Sequence, residues 1–239
     1  MKNYLNSKLI LFKRLLPEKS HIISDNKNKI YPILKKIAKK RNLKLLDINK
    51  KIEIKNIKYF PLLGSFQIKN LSMAILATNL CGLSKGKILK TIKKIKSVHG
   101  RLELTRNYPN NIKVFIDYAH TPDALNEVLK SIKVKFDSEI SLVFGCGGER
   151  DFKKRALMAK IAKLHCDKIY VTDDNPRRES PSKIRKEIIK NLKGSRYFNI
   201  GNRSRAIKTA ITMANANGVI LIAGKGHENY QDYGNKVLK

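Results

Sequence analysis

The residues best suited to chemistry lie in one short polar run, Asp173 to Arg177, which reads Asp-Asp-Asn-Pro-Arg and follows the apolar stretch Lys168 to Val171. A guanidinium can clamp a carboxylate through two hydrogen bonds, and carboxylate or amide oxygens can accept from an ammonium. The run therefore holds the groups needed to bind a zwitterion. It is equally compatible with a solvated turn, in which Asn-Pro interrupts the chain and Ser180 caps a helix that begins at Pro181.

Two glycine-containing segments offer further binding groups. Gly145 to Arg150 can expose successive backbone N–H groups to an anion, and Gly224 to Glu228 adds a carboxylate that could accept from an ammonium. Both are also compatible with plain strand-to-helix turns, and neither is a P-loop, because no Gly-Lys-Ser/Thr follows. His120 and His227 are candidate acid–base groups, although a histidine in a polar loop often serves only as a hydrogen-bonding strut.

The elements that must position these residues are strands that alternate with helices. Apolar runs predict five strands, at residues 112–116, 140–144, 168–171, 197–199 and 219–223, and a helical pattern follows each of the first four. This alternation predicts a doubly wound, mostly parallel α/β sheet. Polar segments follow four of the strands, and loops at the carboxyl ends of parallel strands converge on one crevice. The sequence therefore predicts a single site at this edge of the sheet.

The first hundred residues are also α/β, but their pattern is less regular. Short strands are predicted at 21–23 and 43–46, a third at Lys51 to Tyr59, and helices at 31–41, 71–80 and 83–95. The pattern breaks near Ser97 to His99. We therefore expect two domains, at residues 1–98 and 99–239.

The charge of the chain is extreme. Its 239 residues include 51 Lys and Arg against 19 Asp and Glu, which gives a formal net charge of +32. Basic faces attract polyanions, so one explanation is a nucleic-acid-binding protein. The basic residues, however, are spread over the whole length, aromatic residues make up only 7%, and there is no Trp to stack on bases. We favour a general compositional bias, and nucleic-acid binding stays open as the alternative from another functional class.

The cysteine content indicates the cellular compartment of the protein. Cys81, Cys146 and Cys166 lie far apart without metal-ligand spacing, and an odd count without a secretory signal predicts reduced thiols in a cytoplasmic protein. No apolar run is long enough to span a bilayer. We therefore expect no membrane partner.

Five segments, taken in order, resemble the Mur ligase family, and the Asp-Asn-Pro-Arg run resembles its meso-diaminopimelate-adding type. The segments are Gly100 to Glu103, Asp117 to Leu125, Gly145 to Asp151, Asp173 to Arg177 and Gly224 to Gln231. The resemblance covers nearly the whole chain from Pro61 onward. It implies a Rossmann-like C-terminal ligase domain, preceded by part of the α/β central domain that binds ATP.

The resemblance also implies a reaction. The family type adds meso-diaminopimelate to UDP-N-acetylmuramoyl-L-alanyl-D-glutamate (UDP-MurNAc-L-Ala-D-Glu) in peptidoglycan precursor synthesis, with ATP and Mg²⁺. The γ-carboxylate of D-Glu attacks the γ-phosphate of ATP, and the amine of diaminopimelate then attacks the acyl phosphate. A related ligase of the folylpolyglutamate synthetase type is the nearer alternative, and the Asp-Asn-Pro-Arg run argues against it.

The same resemblance assigns roles to residues. The diaminopimelate-binding positions are Arg150, Asp174, Asn175, Pro176, Arg177, Gly224 and Glu228. The positions around ATP are Asn70, Arg101 and Asp117. Lys8 matches the lysine whose carbamate helps to hold Mg²⁺, and together with His120 it makes up the expected catalytic set. A second amino-acid head with its own carboxylate suits the rigid fork of an arginine.

The sequence departs from the family pattern in two respects. It contains neither the UDP-substrate domain nor a P-loop, and Lys153 and Ala156 stand where the family commonly has Gly and Pro. Because nothing else in the sequence cradles the β- and γ-phosphates of ATP, we expect that this chain alone is not a competent ligase. We expect a fragment, or a split or decaying product, and a separate N-terminal piece could supply the P-loop.

Overall fold

The computed structural model describes residues 2–51 and 62–239. The chain forms two compact units, the first ending at Ile95 and the second spanning Lys96–Lys239. This division lies close to the expected boundary, while the identity of the first unit as part of an ATP-binding domain stays a prediction. The strand expected at 51–59 falls, except for Lys51, outside the described residues. Within the described ranges no helix is long and apolar enough to cross a membrane.

Unit 1 is a small α/β assembly. Its elements are α1 (Lys2–Ile10) continued by a π-helical turn (Leu11–Leu15), β1 (His21–Ser24), α2 (Tyr31–Lys40), β2 (Lys44–Asp47), α3 (Ile48–Lys51), α4 (Ser65–Leu80) and α5 (Lys85–Ile92). Strands β1 and β2 pair in parallel. One small core joins Leu9, Ile22 and Leu34, and a second joins Leu71 and Ile92 of the last two helices.

Unit 2 contains the regular alternation expected from the sequence. Its elements are β3 (Glu103–Tyr108), a 3₁₀ turn (Pro109–Asn111), β4 (Ile112–Asp117), α6 (Pro122–Lys135), β5 (Ile140–Phe144), α7 (Lys153–His165), β6 (Lys168–Val171), α8 (Pro181–Ile189), β7 (Tyr197–Asn199), α9 (Arg203–Thr212), β8 (Val219–Ala223), β9 (Gln231–Asp232) and β10 (Val237–Leu238). The strand order in the main sheet is β3-β4-β8-β5-β6-β7. All pairs are parallel except β3 with β4. The predicted doubly wound, mostly parallel α/β fold is confirmed.

Strand β3 was not predicted from the sequence. It lies at the edge of the sheet, where Glu103 pairs with Ile116 and Tyr108 with Ile112 in antiparallel register. Most of its side chains are exposed. A mostly exposed edge strand needs no continuous apolar run, and apolar runs are the pattern that predicts the other strands of this sheet.

Helix α4 begins earlier than expected. The apolar pattern indicated a start near Leu71, whereas the helix begins at Ser65 after Gly64. Its first turns contain Gln67, Lys69 and Asn70, and these polar residues conceal the helical pattern. Asn70 therefore lies within a helix.

The core of unit 2 lies on both faces of the sheet. Ala206 and Ala210 of α9 pack against Val143, Tyr170 and Ile220 on one face. Because side chains alternate along a strand, the intervening strand residues point to the opposite face, where α6, α7 and α8 lie side by side. The buried side chains of these three helices include Leu125, Leu129, Met158, Ala162, Ile184 and Ile188.

The start of α6 follows the predicted capping pattern. Thr121 is the N-cap, its side-chain oxygen accepts from the N–H of Ala124 (3.4 Å), and Pro122 occupies the first turn. Proline has no N–H to leave unpaired at this position. The cap fixes where the helix begins, and with it the path of the loop that leaves β4.

We predict that Leu129→Ala lowers the free energy of unfolding of unit 2 by about 2–5 kcal/mol, because a fully buried leucine leaves a cavity when it is truncated. Native-state hydrogen exchange of the β5 and β8 amides measures this unit alone. The matched control is Val134→Ala on the same helix, where the side chain is 90% exposed and a change within about 0.5 kcal/mol is expected. Equal effects of the two substitutions would contradict the packing described for α6.

Candidate functional site

The loops that follow β4, β5, β6 and β8 line one cleft of about 430 Å³ at the carboxyl edge of the sheet. Its lining residues include Tyr118, His120, Gly147, Arg150, Lys154, Asp174, Asn175, Arg177, Gly224 and Glu228. Six of the seven positions expected to bind diaminopimelate are in this set. The seventh, Pro176, is buried beside the cleft and does not line it.

Asn175 lies at the centre of the polar contacts. Its Oδ1 atom accepts from Lys225 Nζ (2.8 Å) and from the backbone N–H of Asp232 (2.9 Å), and its Nδ2 donates to Glu228 Oε2 (3.3 Å). An ammonium can only donate, so Lys225 fixes which side of the amide carries the oxygen. Both acceptor positions of the amide oxygen are filled by protein donors. What Asn175 can offer to a ligand is therefore the remaining N–H of its amide nitrogen.

Glu228 is charged at neutral pH. Burial alone would raise the pKa of its carboxyl group, but the ammonium of Lys225 (3.0 Å) and hydrogen bonds from Asn175 and Tyr118 outweigh burial and lower the pKa below its ordinary value. The Tyr118 hydroxyl donates to Oε1 at 3.2 Å. Because Glu228 keeps its charge, it is available to an ammonium in the cleft.

Asp174 packs directly against Gly224. The Oδ1 atom of Asp174 accepts from the backbone N–H of Asn175 (2.7 Å). A Cβ atom at position 224 would lie 2.8 Å from Oδ2, and the φ angle of Gly224 is +109°, which disfavours any side chain. Glycine is thus required here for the carboxylate of Asp174 to face the cleft.

Two arginines reach the cleft in different ways. Arg177 is half-buried: its Nη1 donates to the carbonyl of Gly148 (2.8 Å) and its Nε lies 3.7 Å from Asp232 Oδ2. These contacts leave Nη2 without a hydrogen bond to the described part of the chain. Arg150 is exposed at the rim. The protein therefore holds the guanidinium of Arg177 in place, whereas Arg150 presents its side chain at the exposed rim.

Arg155 ties the two loops that carry these arginines. Its buried guanidinium pairs with Glu179 (2.9 Å) and Glu187 (2.7 Å) and donates to the carbonyl of Gly147 (3.3 Å). The Glu179 carboxylate in turn accepts from the backbone N–H of Glu149. A buried arginine with two carboxylate partners resists rearrangement, since removing one member leaves an unpaired charge.

The sequence was also compared with known proteins. A family model described as "Mur ligase, glutamate ligase domain" matches residues 100–226, which is more than half of the chain. The chain belongs to the Mur ligase family. The predicted family resemblance is thereby confirmed.

Relatives of this Mur ligase carry a specific name. The UDP-N-acetylmuramoyl-L-alanyl-D-glutamate–2,6-diaminopimelate ligase of Rickettsia montanensis is 38% identical over 99% of this chain and 53% of its own length. A solved structure of a protein with the same name is 28% identical with a TM-score of 0.58, and it covers 99% of this chain and 53% of its own. The chain thus spans about half the length of the curated relatives it matches.

A second solved structure shares the fold. The Mycobacterium tuberculosis folylpolyglutamate synthase complexed with ADP has a TM-score of 0.71 at 19% identity, covering 85% of this chain and 52% of its own. At that identity the likeness concerns architecture alone. It shows that the alternative named from the sequence has the same fold as this Mur ligase.

The two residues of unit 2 expected near ATP have structural partners. Both carboxylate oxygens of Asp117 accept backbone N–H groups at 2.7 Å, one from Leu102 and one from Ala119. Arg101 is exposed and stacks over the Tyr118 ring, with its guanidinium carbon 4.6 Å from the ring centroid. Asp117 therefore fastens the segment before β3 to the end of β4, and nucleotide contact by either residue stays a prediction.

His120 lies at the rim of the cleft. Its ring is exposed, its Nδ1 is 3.0 Å from the carbonyl oxygen of Tyr118, and it meets the Tyr118 ring edge-on at 4.8 Å. The position allows contact with a ligand. An acid–base role stays a prediction.

Lys8 and Asn70 belong to unit 1, whereas the cleft belongs to unit 2. Lys8 is exposed, with its ammonium 5.4 Å from the Tyr4 ring, and Asn70 is exposed with its amide 3.4 Å from Gln67. Residues 2–51 and 62–239 contain no group of three or more His, Cys, Asp or Glu arranged to hold a metal ion. The carbamate at Lys8 and its part in holding Mg²⁺ stay predictions.

We predict that the cleft cysteine is chemically inert. Burial raises the pKa of the Cys146 thiol to about 12, so almost no reactive thiolate is present at neutral pH, whereas Cys81 is exposed. Iodoacetamide should label Cys81 in the native chain and spare Cys146, as read by peptide mass spectrometry. Labelling of all cysteines in guanidinium is the control, and native labelling of Cys146 at the rate of Cys81 would contradict the geometry of the glycine loop.

Proposed function

We propose that unit 2 contains the amino-acid site of an ATP-dependent ligase that adds meso-diaminopimelate to UDP-MurNAc-L-Ala-D-Glu in peptidoglycan precursor synthesis. The observation that supports this most strongly is the composition of the cleft. Arg150 and Arg177 offer guanidinium groups, and Asp174 and Glu228 offer carboxylates, within one cavity. Lys154 and Asp151 also line the cavity, and several groups of each sign in one cleft suit a zwitterion rather than a simple anion or cation.

The distal amino-acid head of diaminopimelate fits this arrangement. Its carboxylate would pair with the Nη2 edge of Arg177 and the remaining N–H of Asn175, while its ammonium would face Asp174 Oδ2 and Glu228. The contacts already made by Arg177 hold the guanidinium in a fixed orientation, which reduces the entropy lost on binding. Charge-assisted hydrogen bonds of this kind are among the strongest in proteins.

Selectivity against lysine follows from the same charges. Lysine lacks the distal carboxylate, so its binding would leave the Nη2 edge of Arg177 without an anionic partner, and the bound amino acid would carry a net positive charge. A site built to bind a polar group rejects the analogue that lacks it, because the buried partner is left unpaired. We therefore propose meso-diaminopimelate rather than lysine as the amino acid.

The complete reaction requires more than this cleft. The γ-carboxylate of D-Glu would take the γ-phosphoryl group of ATP, releasing ADP, and the diaminopimelate amine would then attack the acyl carbon, releasing phosphate. Positioning of the amine contributes by converting a bimolecular encounter into a reaction between held groups. We assign the cleft to that positioning, and the binding of ATP, Mg²⁺ and the UDP-linked substrate to other parts of the enzyme. A separate polypeptide that carries a P-loop is one source of those parts.

We predict that the chain binds meso-diaminopimelate in calorimetry and that Arg177→Ala weakens binding about tenfold to hundredfold, because a hydrogen-bonded charge pair is lost. The matched control is Arg178→Ala, since the neighbouring arginine is exposed and does not line the cleft. Its affinity should equal that of the unchanged protein.

L-Lysine should bind less tightly than meso-diaminopimelate to the unchanged chain, by about tenfold or more. Equal affinity for the two amino acids, or equal loss with Arg178→Ala and Arg177→Ala, would count against the proposal. Binding that weakens steeply with salt for any DNA duplex would instead favour the nucleic-acid alternative.

A further inference from the structure

We propose that Lys225 is a positioning residue that orients Asn175 and Glu228 for the distal head of the amino acid. The inference rests on the proposed function and deepens it, since Lys225 itself does not line the amino-acid cleft. Its ammonium lies behind the two side chains that do. From there it contacts both of them at once, at 2.8 Å and 3.0 Å.

The burial of Lys225 indicates that it supports its neighbours rather than contacting the ligand itself. Lys225 is only 6% exposed, which is unusual for a lysine, and such burial is expected only where the charge is paired. Its neighbours supply the pairing: a carboxylate, an amide oxygen and the Tyr230 ring, whose centroid lies 5.2 Å from the ammonium. The lysine is thus a fixed part of the structure that supports the cleft lining.

Lys225 determines which atom of the Asn175 side-chain amide faces the cleft. The Asn175 oxygen is occupied by Lys225 on one side and by the backbone N–H of Asp232 on the other. With the oxygen held in this way, the amide nitrogen must point toward Glu228 and the cleft. Without the ammonium the amide would lose one of the two donors that define its orientation, and its oxygen could turn toward the ligand carboxylate, where it would repel rather than bind.

Lys225 also keeps Glu228 ionised. Lys225 from its own loop and Arg203 from α9 face Glu228, and Tyr118 donates to it from the loop after β4. Across the cleft Glu228 also shares the lining with Asp174, Arg177 and Arg150. The Nη2 of Arg203 donates to the carbonyl of Ala223 (2.9 Å), while its buried Nη1 makes no hydrogen bond to the described part of the chain. Removing Lys225 therefore takes away the nearest cation from a carboxylate that burial pushes toward the neutral form.

A different interpretation of the same contacts predicts the opposite change in affinity. If the Lys225 ammonium occupied the place of the ligand ammonium, its removal would free Glu228 and tighten binding. If it orients the wall, its removal would weaken binding. The sign of one affinity change therefore separates competition from positioning.

The test is calorimetry of meso-diaminopimelate with Lys225→Met, which keeps the length of the side chain and removes the charge. We expect affinity to fall about tenfold to hundredfold, with Lys225→Arg retaining more of it because charge and donors remain. Lys208→Met, an exposed lysine of α9, is the matched control and should bind like the unchanged chain. Hydrogen exchange of the β8 amides establishes that each variant is folded.

The pH dependence of binding distinguishes loss of the positioning role of Lys225 from general damage to the site. Without Lys225 the pKa of Glu228 rises, so its carboxylate becomes protonated at a higher pH than in the unchanged chain, and binding by Lys225→Met should weaken progressively as the pH is lowered from neutrality. The unchanged chain should show no such loss from this group. A deficit in Lys225→Met that does not grow as the pH falls, an unchanged affinity, or a gain in affinity would each overturn the positioning role.

Failure of the proposed function gives a different pattern. If the unchanged chain binds no meso-diaminopimelate, the function itself is contradicted and the role of Lys225 in binding falls with it. Carbon-13 NMR titration of the Glu228 carboxyl still tests the contact directly, without any ligand. A pKa that does not rise in Lys225→Met would show that the two side chains are not coupled.

Discussion

The position of strand β8 within the parallel sheet brings the functional loops of unit 2 to one edge. Strand β8, late in the chain, pairs in parallel with both β4 and β5, and so lies near the middle of the sheet. Its carboxyl end therefore places Gly224 to Glu228 between the loop after β4 and the loop after β5. Because β6 pairs with β5 in the same direction, Asp174 to Arg177 reach the same edge. The parallel register thus brings segments that are distant in sequence into one cleft, and the antiparallel β3 adds only an edge.

Polar contacts behind the cleft turn these loops into one rigid surface. Asn175 accepts from a lysine of the last loop and from the backbone near the C-terminal hairpin, while Arg155 joins the glycine loop to the helix that follows β6. At the glycines, backbone atoms of neighbouring loops approach too closely to leave room for a side chain. A Cβ on Gly148, for example, would overlap the carbonyl of Pro176. A cleft held in this way meets an incoming zwitterion with its charges already oriented, so less binding free energy is lost to ordering. The cost of burying these groups is offset by the pairing of nearly all of them with one another.

Much of unit 2 could be predicted from its sequence because each parallel strand is a continuous apolar run bounded by turn residues, as in β5 and β8. The convergence of the polar loops follows from that pattern alone. The strand order could not be predicted, because the pairing of β4 with β8 joins residues about a hundred positions apart in the chain. Lys225 was overlooked for a different reason: it is one of 51 basic residues, and the sequence does not show which of them are buried, as Lys225, Arg155, Lys168 and Arg203 are. The spacing of three residues to Glu228 was the one available signal.

The central claim is that four loops of unit 2 act as one amino-acid site, and ligand mapping by NMR tests it most directly. A ¹⁵N-labelled chain titrated with meso-diaminopimelate should show its largest shift changes together, at Arg150, at Asn175 to Arg177 and at Gly224 to Glu228, all saturating with one dissociation constant. The exposed lysines of α2 and α5 should not respond. Shift changes confined to a single loop, or spread over the basic surface with different saturation points, would contradict the account.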